Sequence, residues 1–139
     1  LAAKTYEAYY DLLFQLNAGL LVRDYAVLCH GRVPPECREI HARIQQDMSS
    51  RASLPSAVHH QGKPSRTLMK VLAHAQHGAA ESFSLVAIRI RTGRRHQIRV
   101  HTSHIGHPTV SDGKYAPERW EADRAWCPRN FIHRYRLAF

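Results

Sequence analysis

The segment that most constrains the fold of this chain is SFSLVAIRIR, residues 82–91. In an extended segment, successive side chains point to opposite faces. The apolar residues here occupy both faces, with Phe83, Leu85 and Ala87 on one face and Val86, Ile88 and Ile90 on the other. A strand that is apolar on both faces is buried on both sides. We therefore predict a strand at the centre of a sheet.

Neighbouring segments supply the other elements of such a domain. The helical spacing of apolar residues predicts a helix over Thr5–Leu16, with Thr5 as its N-cap and Gly19 closing it. Strand patterns are predicted at Leu20–Cys29, Arg38–Gln46, Thr67–Ala75 and within Asn130–Phe139. This combination predicts an α+β domain with a mostly antiparallel mixed sheet and flanking helices.

Two connections lack a regular pattern. Residues 47–65 are polar, contain Ser, Pro and Gly, and show no sustained period, so we predict a mobile loop there within a single domain of residues 1–139. The charged stretch KYAPERWEADRAWCPR, residues 114–129, cannot be assigned to an element.

Composition narrows the class of protein. The 139 residues are 44% hydrophobic, which fits one globular domain, and 20 Lys and Arg against 11 Asp and Glu give a formal net charge of +9. Such an excess is typical of proteins that meet phosphates, although it also serves solubility. Cys29, Cys37 and Cys127 are odd in number and widely spaced, which argues against a disulfide framework and indicates a reducing, intracellular setting. No run of 18 apolar residues could span a membrane.

The stretch TGRRHQIRVH, residues 92–101, directly follows the central strand and contains no acid. Ile98, His101 and Ile105 share one face of a helix, which predicts that a helix starts here and ends at Gly106. The free N–H groups at a helix N-terminus attract anions. The stretch therefore predicts an anion-binding site.

The side chains of this stretch strengthen that interpretation. Arginine suits bidentate contacts with phosphates or with a carboxylate, and the candidate anion-binding residues are Arg94, Arg95, Gln97 and His101. The alternative is that these arginines are only solvated or bridge acids of the chain. A partly buried Arg99 would require a carboxylate partner, because an unpaired buried charge is costly.

The residues resemble the pseudouridine synthases of the large-subunit ribosomal RNA and transfer RNA type. The third signature motif of that family is similar to GRRHQIRVH at 93–101, followed by HIGHP at 104–108 and SDGKY at 111–115. LVRDYAVLCHG at 21–31 resembles the tyrosine motif, KPSRTLMKVL at 63–72 resembles the strand before motif three, and NFIHRYRLAF at 130–139 resembles the closing strand. Asp24, Ser111 and WEADRAWCPR at 120–129 depart from the family pattern.

The resemblance implies roles for two residues. Tyr25 would stack on the target uracil and take up its proton, and Arg99 would pair with the catalytic aspartate. That aspartate attacks the nucleoside in a reaction that needs no metal and no organic cofactor. The substrate would be a uridine in ribosomal or transfer RNA, and Arg94, Arg95, Gln97 and His101 would be RNA-binding residues. Without the resemblance, Tyr25 would be interpreted as an ordinary core aromatic.

The family's nucleophile lies in an H-R-L-D-x-x-T-S-G motif, which is not present in these 139 residues. By register, the sequence begins a few residues after that motif, so we expect a partial catalytic domain that is inactive in isolation. A partner chain would then cover an exposed sheet edge. Asp112 matches a family aspartate that we interpret as structural.

Two other interpretations stay open. A non-catalytic RNA-binding or ribosome-assembly protein could keep this scaffold and its basic surface without the nucleophile. His96, His101, His104 and His107 could suggest zinc, but His96 faces away from the others in a helix and no cysteine lies nearby, so a metal site is disfavoured.

Overall fold

The chain forms a six-stranded antiparallel sheet with helices packed at its surface, and the computed structural model describes residues 2–46, 55–78 and 81–139. The strands are β1 (Val22–His30), β2 (Glu39–Gln45), β3 (Ala57–Val58), β4 (Lys63–His77), β5 (Glu81–Ile90) and β6 (Ile132–Ala138). The helices are α1 (Tyr6–Asn17), α2 (Gln97–His104), α3 (Trp120–Arg124) and a 3₁₀ turn, Pro117–Arg119. The sheet order is β3-β2-β4-β5-β1-β6, and the predicted α+β class is confirmed.

Strand β5 lies inside the sheet, as its composition predicted, between β4 and β1. Val86 is fully buried opposite Val27 of β1 and Val71 of β4. Burial on the second face is only partial, because Arg89 at the end of that face is exposed. The prediction of a strand buried on both faces therefore holds only for its first half, which includes the buried Phe83.

The main core lies between the sheet and α2. Ile98 of α2 packs into a cluster of buried side chains from β1, β2, β4, β5 and the loop after β1. Its other members are Val27, Cys29, Val33, Ile40, Met69, Val86, Ile88 and Ile90. Alternation along β2 follows the predicted pattern, since Ile40 and Ile44 are buried while Glu39 and His41 are exposed. The helix that follows β5 therefore covers the inner face of the sheet.

The opposite face of the sheet has a charged cluster. The Arg89 guanidinium donates to the buried carboxylate of Asp24, with Nε–Oδ1 at 2.6 Å and Nη2–Oδ2 at 2.9 Å. The hydrogen bonds from Arg89 hold the pKa of Asp24 below its usual value, against the opposing effect of burial. Because the two residues are register partners in β1 and β5, an acid fits at position 24, where the family pattern has a base.

Helix α1 begins where the sequence predicted, with the Thr5 hydroxyl accepting the Ala8 N–H at 3.2 Å. Gly19, at φ +71°, follows its end. None of its residues is buried. The exposed apolar residues of this segment are Tyr6, Tyr9, Tyr10, Leu13, Phe14, Leu16 and Leu20. The helix is thus present as predicted, but its apolar side chains do not contribute to the core.

The predicted loop at 47–65 is only partly seen, because residues 47–54 lie outside the described residues. The remainder includes β3 and the first residues of β4, where the sequence indicated no regular structure. Gly62 and Pro64 interrupt the alternation that would identify a strand. Gly62 is required by close packing, since a Cβ there would lie 2.4 Å from the Ile44 carbonyl carbon.

The unassigned connection before β6 is short helical structure fixed by a buried acid. Asp123 of α3 accepts hydrogen bonds from the His30 ring at 2.9 Å and from the Ser111 N–H at 2.7 Å. Ser111 has φ +56°, a left-handed conformation that favours glycine and explains why the family pattern has glycine there. These bonds attach α3 to β1 and to the loop after α2.

The outer strands of the sheet are β3 and β6. Strand β6 is largely exposed and includes His133, Arg134 and Arg136. Basic side chains on an edge strand discourage edge-to-edge pairing with other sheets. The expectation that a partner chain covers a sheet edge stays a prediction.

Candidate functional site

Helix α2 is attached to the sheet by a relay of buried hydrogen bonds. Gln97 Nε2 donates to Thr67 Oγ1 at 3.0 Å, and the Thr67 hydroxyl donates to His101 Nδ1 at 2.9 Å. His101 Nε2–H then donates to the Ala42 carbonyl oxygen at 3.3 Å. This order of donors and acceptors is satisfied by the neutral histidine tautomer with its proton on Nε2. The relay links α2 to β4 and β2.

The side-chain amide of Gln97 makes three further hydrogen bonds. Its Nε2 donates to the Arg66 carbonyl oxygen at 3.0 Å, and its Oε1 accepts from the Thr92 hydroxyl at 2.8 Å. The Arg94 N–H donates to the same Oε1 at 3.1 Å. Gln97 therefore organises the turn between β5 and α2. We expected Gln97 and His101 to contact RNA, but both are buried and present no free polar atom to a ligand in this arrangement.

The buried position of His101 keeps its ring uncharged. Removal from water lowers the pKa of His101 to about 4, and the nearby His104 and His41 rings act in the same direction. The hydrogen bond to the Ala42 carbonyl opposes this effect without reversing it. His101 is therefore neutral at pH 7, as the relay requires.

Arg99 is paired with an acid, as its partial burial requires. Its Nε donates to Asp112 Oδ2 at 2.8 Å and its Nη2 donates to Asp112 Oδ1 at 2.5 Å. The Arg99 side chain is 23% exposed and that of Asp112 is fully buried. The hydrogen bonds that Arg99 donates to Asp112 raise the pKa of Arg99. Among the described residues, the carboxylate that holds Arg99 is thus the aspartate that we had interpreted as structural.

The Asp112 carboxylate is held in place by several donors besides Arg99. It accepts from the Thr109 hydroxyl and from the N–H groups of Lys114 and Tyr115, each at 3.1 Å. Burial raises the pKa of Asp112, but these hydrogen bonds and the charge of Arg99 outweigh it, so the pKa lies below its usual value. The carboxylate is therefore ionised and fixes the direction of the Arg99 guanidinium.

A tyrosine and a histidine complete the surroundings of Arg99. The Arg99 guanidinium carbon lies 5.0 Å from the centre of the Tyr115 ring. The Tyr115 hydroxyl accepts the Ser56 N–H at 3.0 Å and lies 3.0 Å from His96 Nδ1. Burial raises the pKa of Tyr115, and burial together with the charge of Arg99 lowers the pKa of His96. Both groups are therefore neutral at pH 7, and Tyr115 donates to His96.

His96 itself marks the start of α2. It is in the left-handed conformation at φ +55°, and no side chain caps the helix. Left-handed backbone is uncommon outside glycine and persists where surrounding contacts impose it. The bond to Tyr115 is such a contact, since it ties this ring to the SDGKY segment. The turn and the segment that follows α2 thus form one hydrogen-bonded unit.

The other predicted arginines lie just before α2. Arg94 is half-buried, and its Nη2 lies 3.5 Å from the Pro64 carbonyl oxygen. Its Nε is buried and has no hydrogen-bond partner among the described residues. Arg95 is exposed. Of the four candidate RNA-binding residues, Arg95 is the one whose side chain is mostly at the surface.

Tyr25 lies on the face of the sheet that α2 covers. It is half-buried and packs against the core cluster that includes Ile98, the residue preceding Arg99. The structure therefore places Tyr25 and Arg99 on the same side of the sheet.

The sequence did not predict that Asp112 and Tyr115 contact Arg99. Their three-residue spacing in SDGKY places both backbone N–H groups of Lys114 and Tyr115 near the Asp112 carboxylate, a common aspartate turn. That spacing was the available signal. It could identify a turn, but it could not show that the turn meets Arg99.

Within the described ranges, no helix is both long and apolar enough to cross a membrane. The same residues contain no group of three or more His, Cys, Asp or Glu side chains placed to hold a metal ion. Three of the four crowded histidines have partners within the protein: His96 and His101 bond to Tyr115 and Thr67, and His107 Nδ1 lies 2.9 Å from the His30 carbonyl oxygen. His104 is exposed.

The fold and the site define an α+β domain in which a basic turn and helix carry a partly buried arginine, paired with an acid and lying beside Tyr115. Residues 1–104 match the family model described as RNA pseudouridylate synthase. The chain belongs to the RNA pseudouridylate synthase family.

Comparisons with individual proteins agree. The chain is 36% identical over 127 residues to an uncharacterized RNA pseudouridine synthase of Chloroflexus aurantiacus, covering 91% of this chain and 37% of that protein. It is 30% identical over 141 aligned residues to ribosomal large subunit pseudouridine synthase C of Pasteurella multocida, covering 100% of this chain and 42% of that protein. The chain thus spans about two fifths of these relatives.

A solved structure has the same fold. Human RNA pseudouridylate synthase domain containing 1 superposes with a TM-score of 0.79 at 28% identity. The superposition covers 97% of this chain and 56% of the human chain.

Proposed function

We propose that this chain is part of an RNA pseudouridine synthase, which converts uridine to pseudouridine in ribosomal or transfer RNA. The observation that carries the proposal is the position of Arg99: a guanidinium held by the buried Asp112, on a helix whose neighbouring residue packs in the same cluster as Tyr25. The names of the relatives, which include a ribosomal large subunit synthase, support ribosomal RNA as the substrate class.

In this proposal, Tyr25 and Arg99 face the reacting nucleoside. Tyr25 stacks on the uracil, and base stacking on an aromatic ring contributes about 1–3 kcal/mol per base. As a phenolate, its oxygen takes up the proton of the uracil carbon that forms the new C–C bond, after the glycosidic C–N bond has broken, and Tyr25 becomes a neutral phenol. Arg99 supplies fixed positive charge toward an anionic carboxylate or phosphate. The target uridine must leave its stack to reach such a site.

The nucleophile is the remaining requirement. No H-R-L-D-x-x-T-S-G motif occurs in the 139 residues, so we propose that the attacking aspartate is supplied from outside them. Asp112 is already committed to four other residues and is fully buried, which suits a positioning role rather than attack on a nucleoside. In this view, Asp112 orients Arg99, and Arg99 in turn orients the incoming carboxylate.

In this proposal, Gln97 and His101 position helix α2 and do not contact the RNA. Their buried relay to β4 and β2 fixes α2, and therefore Arg99, against the sheet. Arg95 and Arg94 would meet the RNA backbone, where each phosphate contact contributes sequence-independent and salt-dependent affinity.

The test is uridine-to-pseudouridine conversion on total RNA, measured by nucleoside mass spectrometry, with the protein that carries these residues together with the nucleophile motif. We expect Tyr25→Phe to lower the rate about 100-fold or more, as for loss of a general base. Arg99→Lys keeps the charge but not the bidentate pair, and we expect a comparable loss. Lys70→Ala, an exposed charge on the opposite face of the sheet, is the matched control.

Unchanged conversion in both Tyr25→Phe and Arg99→Lys would overturn the roles given to these residues. RNA binding without any conversion by the wild-type protein would instead favour the non-catalytic scaffold. Thermal unfolding of each variant separates a loss of activity from a loss of folded protein.

A further inference from the structure

An open cleft lies next to Arg99, and most of its lining residues follow the segment that matches the family model. Its volume is about 630 Å³, between α2, the SDGKY turn, the start of α3 and the residues before β6. Sites for small molecules commonly have volumes of about 300–1,000 Å³. Its walls include Arg99, Lys114, Trp120, Arg129 and Asn130. All but Arg99 come from beyond residue 104, where the match to the family model ends.

The charged side chains that line this cleft are all positive. Arg99, Lys114 and Arg129 are basic, and the described residues that line the cleft include neither Asp nor Glu. The charge of Arg99 is balanced from behind by the buried Asp112. Arg129 is exposed, and no carboxylate among the described residues pairs with its side chain. An anionic ligand is therefore favoured over a neutral or cationic one.

The cleft also has an aromatic wall. Trp120 is half-buried and packs so closely on Gly113 that a Cβ at position 113 would lie 2.9 Å from the indole ring. The Arg124 guanidinium carbon lies 5.0 Å from the centre of the same ring. Aromatic rings and arginine planes are the surfaces on which unpaired bases stack. The cleft thus combines a stacking surface with phosphate-binding charge.

This wall is fixed by the fold. Asp123, in the same short helix as Trp120, is buried and bonded to the His30 ring and to the Ser111 N–H. Asn130, on the other side of the cleft, donates to the Thr109 hydroxyl at 2.9 Å and to the Val110 carbonyl oxygen at 3.2 Å. Both sides of the cleft are therefore anchored to the sheet and to the loop after α2.

We infer that this cleft binds a single-stranded nucleotide next to the target uridine, with Arg129 on its phosphate and Trp120 on its base. The inference rests on the proposed function, because the target strand must be unstacked where a base is extruded. Tyr25 is not among the residues that line the cleft, which separates the cleft from the proposed uracil site. Trp120 and Arg129 would then determine which sequence context is bound.

The two tryptophans of the chain allow a direct test. Trp126→Phe leaves Trp120 as the sole tryptophan, and Trp120→Phe leaves Trp126, whose ring packs against His77 and Phe83 away from the cleft. A short single-stranded oligouridine RNA is titrated into each protein at low salt, and tryptophan fluorescence and the anisotropy of labelled RNA are recorded. We expect quenching in Trp126→Phe and little change in Trp120→Phe.

A second pair of variants tests the phosphate contact. Arg129→Ala should weaken RNA binding several-fold and lower the slope of log affinity against log salt by about 0.7, the value for one phosphate contact of a single strand. Lys70→Ala removes one charge from the opposite face of the sheet and should change both quantities much less. Equal effects of these two variants, with RNA bound but Trp120 unquenched, would overturn the inference and leave the proposed function intact. Failure of the wild-type chain to bind any RNA, together with absent conversion by the protein that carries the nucleophile motif, would remove both.

Discussion

Arg99 and Asp112 form a two-point ion pair between α2 and the turn that follows it, with N–O distances of 2.8 and 2.5 Å. The acid is fully buried and the arginine mostly so. Removing one partner of a buried pair leaves an uncompensated charge, which is more costly than the net contribution of the pair itself.

We therefore expect Asp112→Asn to lower the free energy of unfolding by about 3 kcal/mol, measured by urea denaturation. Glu39→Gln is the matched control, because Glu39 pairs with Arg66 in a solvent-exposed bidentate contact. Exposed pairs contribute little, so the control should cost much less. Equal losses in both variants would contradict the assignment of Asp112 as the anchor of Arg99.

Protonation of His101 should make stability depend on pH. Its pKa is about 4 in the folded protein and 6.5 without the protein environment, so the unfolded chain binds the proton first as pH falls. Stability contributed by neutral His101 is complete above pH 6.5 and is lost progressively toward pH 4. Between pH 7 and pH 5 the loss should be about 2 kcal/mol.

Urea denaturation at pH 5, 6 and 7 measures this loss. His101→Gln should be less stable at pH 7 but should flatten the profile, because the titrating ring is gone. His104→Gln changes an exposed histidine of the same helix and should retain most of the pH dependence, because burial is the largest cause of the lowered pKa of His101. An unaltered slope in His101→Gln would show that another group titrates.

The hydroxyl of Thr67 is the central member of the relay between Gln97 and His101. Thr67→Val keeps the shape of the side chain but leaves two buried polar groups without their partner, and each such group costs about 1–3 kcal/mol. Thr67→Ser keeps the hydroxyl and removes one methyl, so its cost should be nearer 1 kcal/mol. Thermal unfolding should therefore rank the wild type first, then the serine variant, then the valine variant.

Helix α1 should exchange its amide hydrogens much faster than the central strands. It contains 12 residues and buries none of them, and isolated helices of that length are marginally stable in water. Hydrogen exchange followed by mass spectrometry should show low protection in Tyr6–Asn17 and high protection in β5. Protection of α1 equal to that of β5 would show that another surface packs on its apolar side chains.

The three cysteines should react unequally with a thiol reagent. Cys29 is fully buried, and burial raises the pKa of its thiol to about 12. Cys127 is also buried, whereas Cys37 is half-buried. Ellman's reagent should therefore modify about one thiol rapidly in the folded protein and all three in urea. A Cys37→Ser variant should lack the rapidly reacting thiol. A fast-reacting thiol that persists in this variant would contradict the prediction.

The elements predicted from sequence were those whose pattern is set by burial. In strand β5 and helix α2, the apolar residues recur at the spacing of the side chains that face the core, so both elements could be located from the sequence. Thr5 identified the start of α1. The first residues of β4 could not be located, because Gly62 and Pro64 interrupt the pattern that their pairing with β2 maintains.

The site was predicted in part for a similar reason. The residue types in the basic stretch indicated charge and hydrogen bonding, but not which side chains face inward. Gln97 and His101 were predicted to bind RNA, and in the structure they bond to Thr67, which is 30 or more residues distant in sequence. Only the register between α2 and β4 determines that contact, and a single sequence does not show it.

The relay from Gln97 through Thr67 to His101 has one more consequence. Apolar packing tolerates sliding and rotation, whereas directional bonds from two residues one turn apart in a short helix allow one orientation only. The guanidinium of Arg99, which lies between these two residues, therefore has a fixed direction. In the role that we propose for Arg99, this alignment would cost no reorganisation when RNA binds.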